Sequence, residues 1–219
     1  MTNRNLTLDL TKIVLALSVV GIHAGFLLDT NPDLGYLLVN GAFRIAVPVF
    51  LTINGYYLYG VIEKDHLIPW MKRIMALYAF WMAVYLPFWA FGDHPSVAKL
   101  IHHTVFGYHH LWYVAGIIGG ATIIYFVRHV SVRIGMPGSL AAFVTGVVIQ
   151  YFGVYHIFPQ PIDILANYNW SHRNFLLLAF PFMYAGYLIR RFRLGDKIPD
   201  RFLVIWTVSG LLLLFLEAG

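Results

Sequence analysis

Lys12 and His23 stand eleven residues apart in a run, Leu10 to Leu28, that is otherwise almost wholly apolar. On a helix turning 100° per residue that spacing is three turns plus about 20°, with a rise of roughly 16 Å, so both side chains fall on one face. Lys12 brings an ammonium. His23 brings an imidazole that titrates near neutral pH and can serve as general base or nucleophile. Asp9, three residues before Lys12, can pair with it across one turn. The expected result is a polar seam, buried against neighbouring helices, with the cation near one membrane surface and the imidazole deeper. Two plainer readings stand beside it: Lys12 snorkelling to the interface, and His23 bonded to a backbone carbonyl.

Arg44 interrupts a second apolar run and is followed by Ile-Ala-Val-Pro-Val-Phe and by Asn54-Gly-Tyr-Tyr. A charge in hydrocarbon costs at least about 2.5–3.5 kcal/mol on insertion scales, so Arg44 is expected to face the bundle interior, ion-paired or lining a polar cavity. Pro48 lacks a backbone donor and frees a carbonyl in the turn before it, which cavity-lining helices tolerate. Lys72 and Arg73 are adjacent cations at the start of a third run. Between Gly92 and His110 lie His94, His102, His103, His109 and His110. Metal is not expected there: the chain has no Cys, Asp93 is the only carboxylate nearby, and neighbouring rings of a doublet point to different faces. An aromatic-rich polar lid fits better. His110, Trp112 and Tyr113 suit an interfacial aromatic belt, and Arg173 with Asn174 an anchor or anion contact. No nucleophile elbow, zinc-protease motif, phosphate loop or dinucleotide fingerprint occurs.

These residues need helices to hold them. Of 219 residues, 59% are hydrophobic and 11% charged, with mean hydropathy +0.70. Ordinary soluble chains carry about a quarter charged residues, so disorder and nucleic-acid binding are excluded, and zero Cys excludes a disulfide scaffold and thiol chemistry. Seven apolar runs suit spans: Leu10–Leu28, Tyr36–Tyr59, Pro69–Phe91, Leu111–Val127, Leu140–Phe158, Asn174–Ile189 and Phe202–Leu216. Breaks fall at 29–33, 92–95, 135–138, 159–161 and 195–199. The expected fold is an all-α integral membrane protein, a polytopic helical bundle of about seven transmembrane helices forming one domain over 1–219.

Most of the fifteen Lys and Arg sit in the N-terminal tail, at Arg4, or in the second, fourth and sixth loops with their helix ends. The opposite side has only Lys99 and Arg173. Positive residues stay cytoplasmic in short loops, so the N-terminus is expected inside. A secretory signal peptide is a poorer reading, since no small-residue cleavage site follows the first run.

In order along the chain, five segments resemble the membrane acyltransferase-3 (OafA-like) family. They are Lys12-(ten residues)-His23, Arg44 to Gly60, Lys72-Arg73-Ile74, His110 to Val114 and Arg173 to Ile189. One departure is Ala76, where members often carry a second Arg. Members also continue beyond a seventh span, so the resemblance implies that the last spans are missing here. It further implies a multi-pass protein of the bacterial inner membrane that transfers an acyl group, usually acetyl. The donor would be cytoplasmic acetyl-CoA, and the acceptor a hydroxyl of an extracytoplasmic polysaccharide or glycolipid. On that resemblance Lys12, Lys72 and Arg73 would hold the coenzyme phosphates. His23 would act as general base or transient acyl carrier, and Arg44 would stabilise an oxyanion or anchor the acceptor. His110, Trp112, Tyr113, Arg173 and Asn174 would shape the acceptor site. The membrane domain of serine racemases is similar to this family. It implies a different function, transport or binding of a small zwitterion such as an amino acid.

Overall fold

The computed structural model describes residues 6–91 and 96–218; Arg4, Asp93 and His94 lie outside them. Every regular element among the described residues is helical. In chain order these are α1 (Leu6–Ala24), α2 (Pro32–Tyr36), a π-helical turn (Leu37–Gly41), a 3-10 turn (Ala42–Ile45), α3 (Ala46–Glu63), α4 (Leu67–Val84), α5 (Leu86–Trp89) and α6 (Val97–Phe106). A 3-10 turn (His109–Leu111) then leads into α7 (Trp112–Val127), α8 (Val132–Val154), α9 (Ile162–Asn167) and α10 (Asn169–His172). A second π-helical turn (Phe175–Ala179), α11 (Phe180–Arg191), α12 (Leu194–Lys197) and α13 (Asp200–Ala218) complete the chain. Among the described residues, five segments are long and apolar enough to cross a membrane: Leu6–Ala24, Pro32–Glu63, Leu67–Val84, His109–Val127 and Val132–Val154. The protein is a multi-pass membrane protein. The sixth and seventh expected spans fall on the second π-turn with α11, and on α13.

Prolines account for most of the places where the observed helices depart from the expected runs. Pro48 offers no N–H to the carbonyl of Arg44, four residues earlier, and the regular helix gives way to π and 3-10 turns between Leu37 and Ile45. Pro181, second in α11, leaves the Leu177 carbonyl without its usual donor, and the chain there widens into the second π-turn. The third run breaks at Tyr85, before Pro87, rather than continuing to Phe91. The segment 135–138, expected as a break, is helical instead. α8 starts at Val132, eight residues before the expected Leu140, and runs through Pro137. Pro137, sixth in α8, removes the one bond its N–H would have made to the Arg133 carbonyl, and the helix continues through it. Gly135 also lets Tyr184 of α11 lie against that turn, since a Cβ there would be 2.3 Å from the Tyr184 hydroxyl.

The chain forms two compact units, one of Met1–Leu51 with Arg191–Gly219 and one of Thr52–Arg190. In the first, α1 packs on the 3-10 turn, where Gly21 leaves room for the ring of Phe43: a Cβ would sit 2.6 Å from it. α13 packs against both the π-turn and the 3-10 turn of the same unit. The second unit is built on α7, which buries Ala115, Gly116, Ile117, Gly120, Ala121 and Ile124. That small-residue face receives the second π-turn and α11. A Cβ at Gly119 would be 2.4 Å from Phe175, and one at Gly120 would be 2.8 Å from the Met183 sulfur. Small residues at helix crossings let backbones approach closely, the main source of packing energy where lipid supplies no hydrophobic drive.

Candidate functional site

α1 carries Lys12 and His23 on one uninterrupted helix, so the expected shared face exists. Asp9 pairs with Lys12, Oδ1 to Nζ, at 3.9 Å, with the two side chains 32% and 38% exposed. The expectation of burial fails at His23, which is exposed. The reason is geometric. Gly21 is the buried residue of α1, and Lys12 and His23 lie about 180–200° round the helix from it. The seam therefore occupies the face of α1 opposite its contact with Phe43.

Arg44 likewise departs from its expected place in the bundle interior. It is exposed, and its guanidinium donates to Asn40 Oδ1 at 2.5 Å, one turn back. The neighbouring Phe43 takes the inward position against Gly21, which turns Arg44 away from that contact. Lys72 and Arg73 stand side by side on α4, both exposed, with Ala76 one turn on.

Lys72, Arg73 and the remaining residues belong to the second unit. His110 is exposed in the 3-10 turn that opens the fourth span, and Trp112 is half-buried just after it. Tyr113 is half-buried, and its hydroxyl accepts a hydrogen bond from Asn54 Nδ2 of α3 at 2.9 Å. Arg173 is half-buried and lines a small hollow with Phe143, Gly146, Gln150, His172 and Leu177. Asn174 has a structural task. Its Oδ1 accepts from the N–H groups of Leu176 and Leu177, both at 2.9 Å, and its Nδ2 donates to the carbonyls of Trp170 and Ser171. Its amide is thus committed to capping the second π-turn.

The histidine-rich loop contains a helix, α6, N-capped by Ser96. His102 and His103 of α6 are half-buried among aromatic rings. His102 stacks on Phe106 at 5.1 Å and meets Trp170 edge-on at 5.2 Å, while His103 meets Tyr108 at 5.3 Å. Burial lowers the pKa of both. For His103 the nearby His102, Lys99 and His109 add to the effect. His172 is buried, and desolvation, then the Arg173 charge, push its pKa down against an opposing backbone hydrogen bond.

A carboxylate–imidazole pair also emerges that the sequence reading missed. Asp163 of α9 is buried, and its Oδ2 accepts from His156 Nδ1 at 2.7 Å. The signal available beforehand was a lone carboxylate just after Pro159-Gln-Pro161, with a histidine seven residues earlier.

The family model described as an acyltransferase domain (acyltransferase-3) matches residues 5–216. An amino-acid racemase of Enterococcus faecalis is 26% identical over 160 residues, covering 67% of this chain and 23% of that protein. A serine/alanine racemase of Enterococcus gallinarum is 25% identical over 134 residues, covering 55% of this chain and 19% of that protein. The chain thus corresponds to no more than about a quarter of either relative's length. No solved structure matches it significantly. A match over nearly the whole chain, on a helical multi-pass framework with the Lys12–His23 spacing on one helix, places this chain in the acyltransferase-3 family.

Proposed function

We propose that this chain is a membrane O-acyltransferase moving an acyl group, acetyl above all, from cytoplasmic acetyl-CoA to a hydroxyl of an extracytoplasmic polysaccharide or glycolipid. Family membership supports acyl transfer as the reaction class. The observation that carries the mechanism is the α1 seam: an ammonium and an imidazole along one helix face, separated by roughly 16 Å of rise. With the N-terminus cytoplasmic in the inner membrane, Lys12 stands at the coenzyme end, joined in function by Lys72 and Arg73 in binding phosphate oxygens. His23 removes the acceptor proton or carries the acyl group transiently. Arg44 stabilises the developing oxyanion.

The test is transfer of labelled acetyl to surface glycan by cells or membranes carrying the full chain. His23→Ala should lower transfer by about 100-fold or more. Lys12→Ala should chiefly raise KM for acetyl-CoA. Unchanged acetylation in both variants would sink the assignment. A second reading, binding or transport of a small zwitterion, is favoured by the likeness to two racemases. It predicts amino-acid uptake into vesicles without acetyl-CoA.

A further inference from the structure

Between α8 and the second π-turn, wholly within the second unit, lies a hollow of about 80 Å³. Gly146 lets the two elements close in, since a Cβ there would lie 3.1 Å from Leu177 Cβ and 3.4 Å from the Leu177 carbonyl oxygen. The lining is sorted by depth along α8. Gln150, one turn before the helix ends at Val154, shares the hollow with Arg173 and the buried His172. Phe143 lies three turns before Val154, roughly 16 Å in. Val147, Leu177 and Leu178 complete the apolar wall. Burial, then the Arg173 charge, lower the pKa of His172, so the imidazole is neutral and the guanidinium supplies the positive charge of the hollow.

A water molecule takes about 30 Å³ of liquid, so the hollow has room for a phosphate-sized head and not for a sugar ring. The rest of any occupant must continue outside it. Beside the hollow α8 exposes Val144, Val147, Val148 and Tyr151. At 100° per residue this strip adjoins the face that lines the hollow, and Val147 belongs to both. α8 is one of the five membrane-crossing candidates, so the strip meets acyl chains, whereas Arg173 lies outside those spans, where headgroups are. A guanidinium offers paired donors that match phosphate oxygens, and the Gln150 amide can add another. An oxyanion above and an apolar wall below fit a phospholipid. A choline group would bring a second positive charge towards Arg173, so the fit favours a lipid whose headgroup carries no cation.

We propose that this hollow binds one anionic phospholipid, with the phosphate on Arg173 and Gln150 and the first chain segment along Phe143, Val147 and Leu177. The site draws on the second unit alone and is independent of the acyl-transfer reading.

Native mass spectrometry of the full chain in detergent, titrated with dioleoylphosphatidylglycerol or dioleoylphosphatidylcholine, tests the site. The wild type should take up one phosphatidylglycerol in preference to phosphatidylcholine. Arg173→Gln should weaken phosphatidylglycerol uptake by about tenfold or more. Val147→Phe, which fills the hollow and leaves every charge in place, should weaken it comparably. Lys99→Gln, which removes an exposed cation elsewhere in the same unit, should leave it unchanged. Uptake at the wild-type level in Arg173→Gln or Val147→Phe overturns the proposal. So does an equal loss in Lys99→Gln, which would make the attraction one of general charge. Displacement of the lipid by millimolar inorganic phosphate also overturns it, since free phosphate would then be the ligand. If Arg173→Gln does not elute as the wild type does, Val147→Phe decides the matter alone.

Discussion

His172, His102 and His103 show how position in the fold sets the chemistry of one residue type. All three lie outside the five candidate spans, and burial lowers the pKa of each, with neighbouring positive charge reinforcing it at His103 and His172. The folded state therefore keeps them neutral at pH values where the unfolded chain, titrating near 6.5, already binds protons. Their contribution to stability is complete above about pH 6.5 and is lost as pH falls from there through the lowered folded values. Thermal unfolding of the purified protein should show a midpoint that drops between pH 7 and 5, and His172→Gln should flatten that drop. A midpoint independent of pH in both proteins would contradict this. Little of it was legible beforehand. Sequence placed histidines in an outward loop, but the burial of His102 depends on Trp170, which reaches it from a distant part of the chain, as well as on Phe106 one turn along α6.

At the scale of elements, α3 and α11 cross with their backbones in close approach. A Cβ at Gly55 would lie 1.8 Å from the Met183 carbonyl oxygen, and one at Gly186 would lie 1.9 Å from that of Thr52. Both obstacles are backbone, so no side-chain rotation relieves them. Gly55→Ala and Gly186→Ala should each destabilise by about 1–3 kcal/mol or more. Gly60→Ala, where a Cβ meets nothing within 4 Å, should be near neutral. Fluorescence-detected thermal size exclusion would rank the three, and equal midpoints would refute the close crossing. The helical runs themselves were readable, because apolar length is a local property. The start of α8 was not, since proline and glycine at 135–138 read as a break until Tyr184 packs against that turn.

For the whole molecule, the charge bias predicts a topology that the absence of cysteine makes simple to measure. Single cysteines placed at Lys64, Arg128 or Arg193 should be labelled only from the cytoplasmic side. Those placed at Tyr108 or Tyr155 should react with an impermeant maleimide added outside. The reverse pattern would invert the coenzyme and acceptor sides of the proposed reaction. The sequence by itself determined that the chain is helical and membrane-spanning, and that Lys12 and His23 share a face, because hydrophobic length and helical period act over a few turns. Tertiary structure alone decided that this face lies opposite the Gly21–Phe43 contact and that Arg44 turns outward. It also decided that Asn174 is a cap and that His156 meets Asp163. Those outcomes depend on which side chain fills a limited space first, and no local pattern encodes that competition.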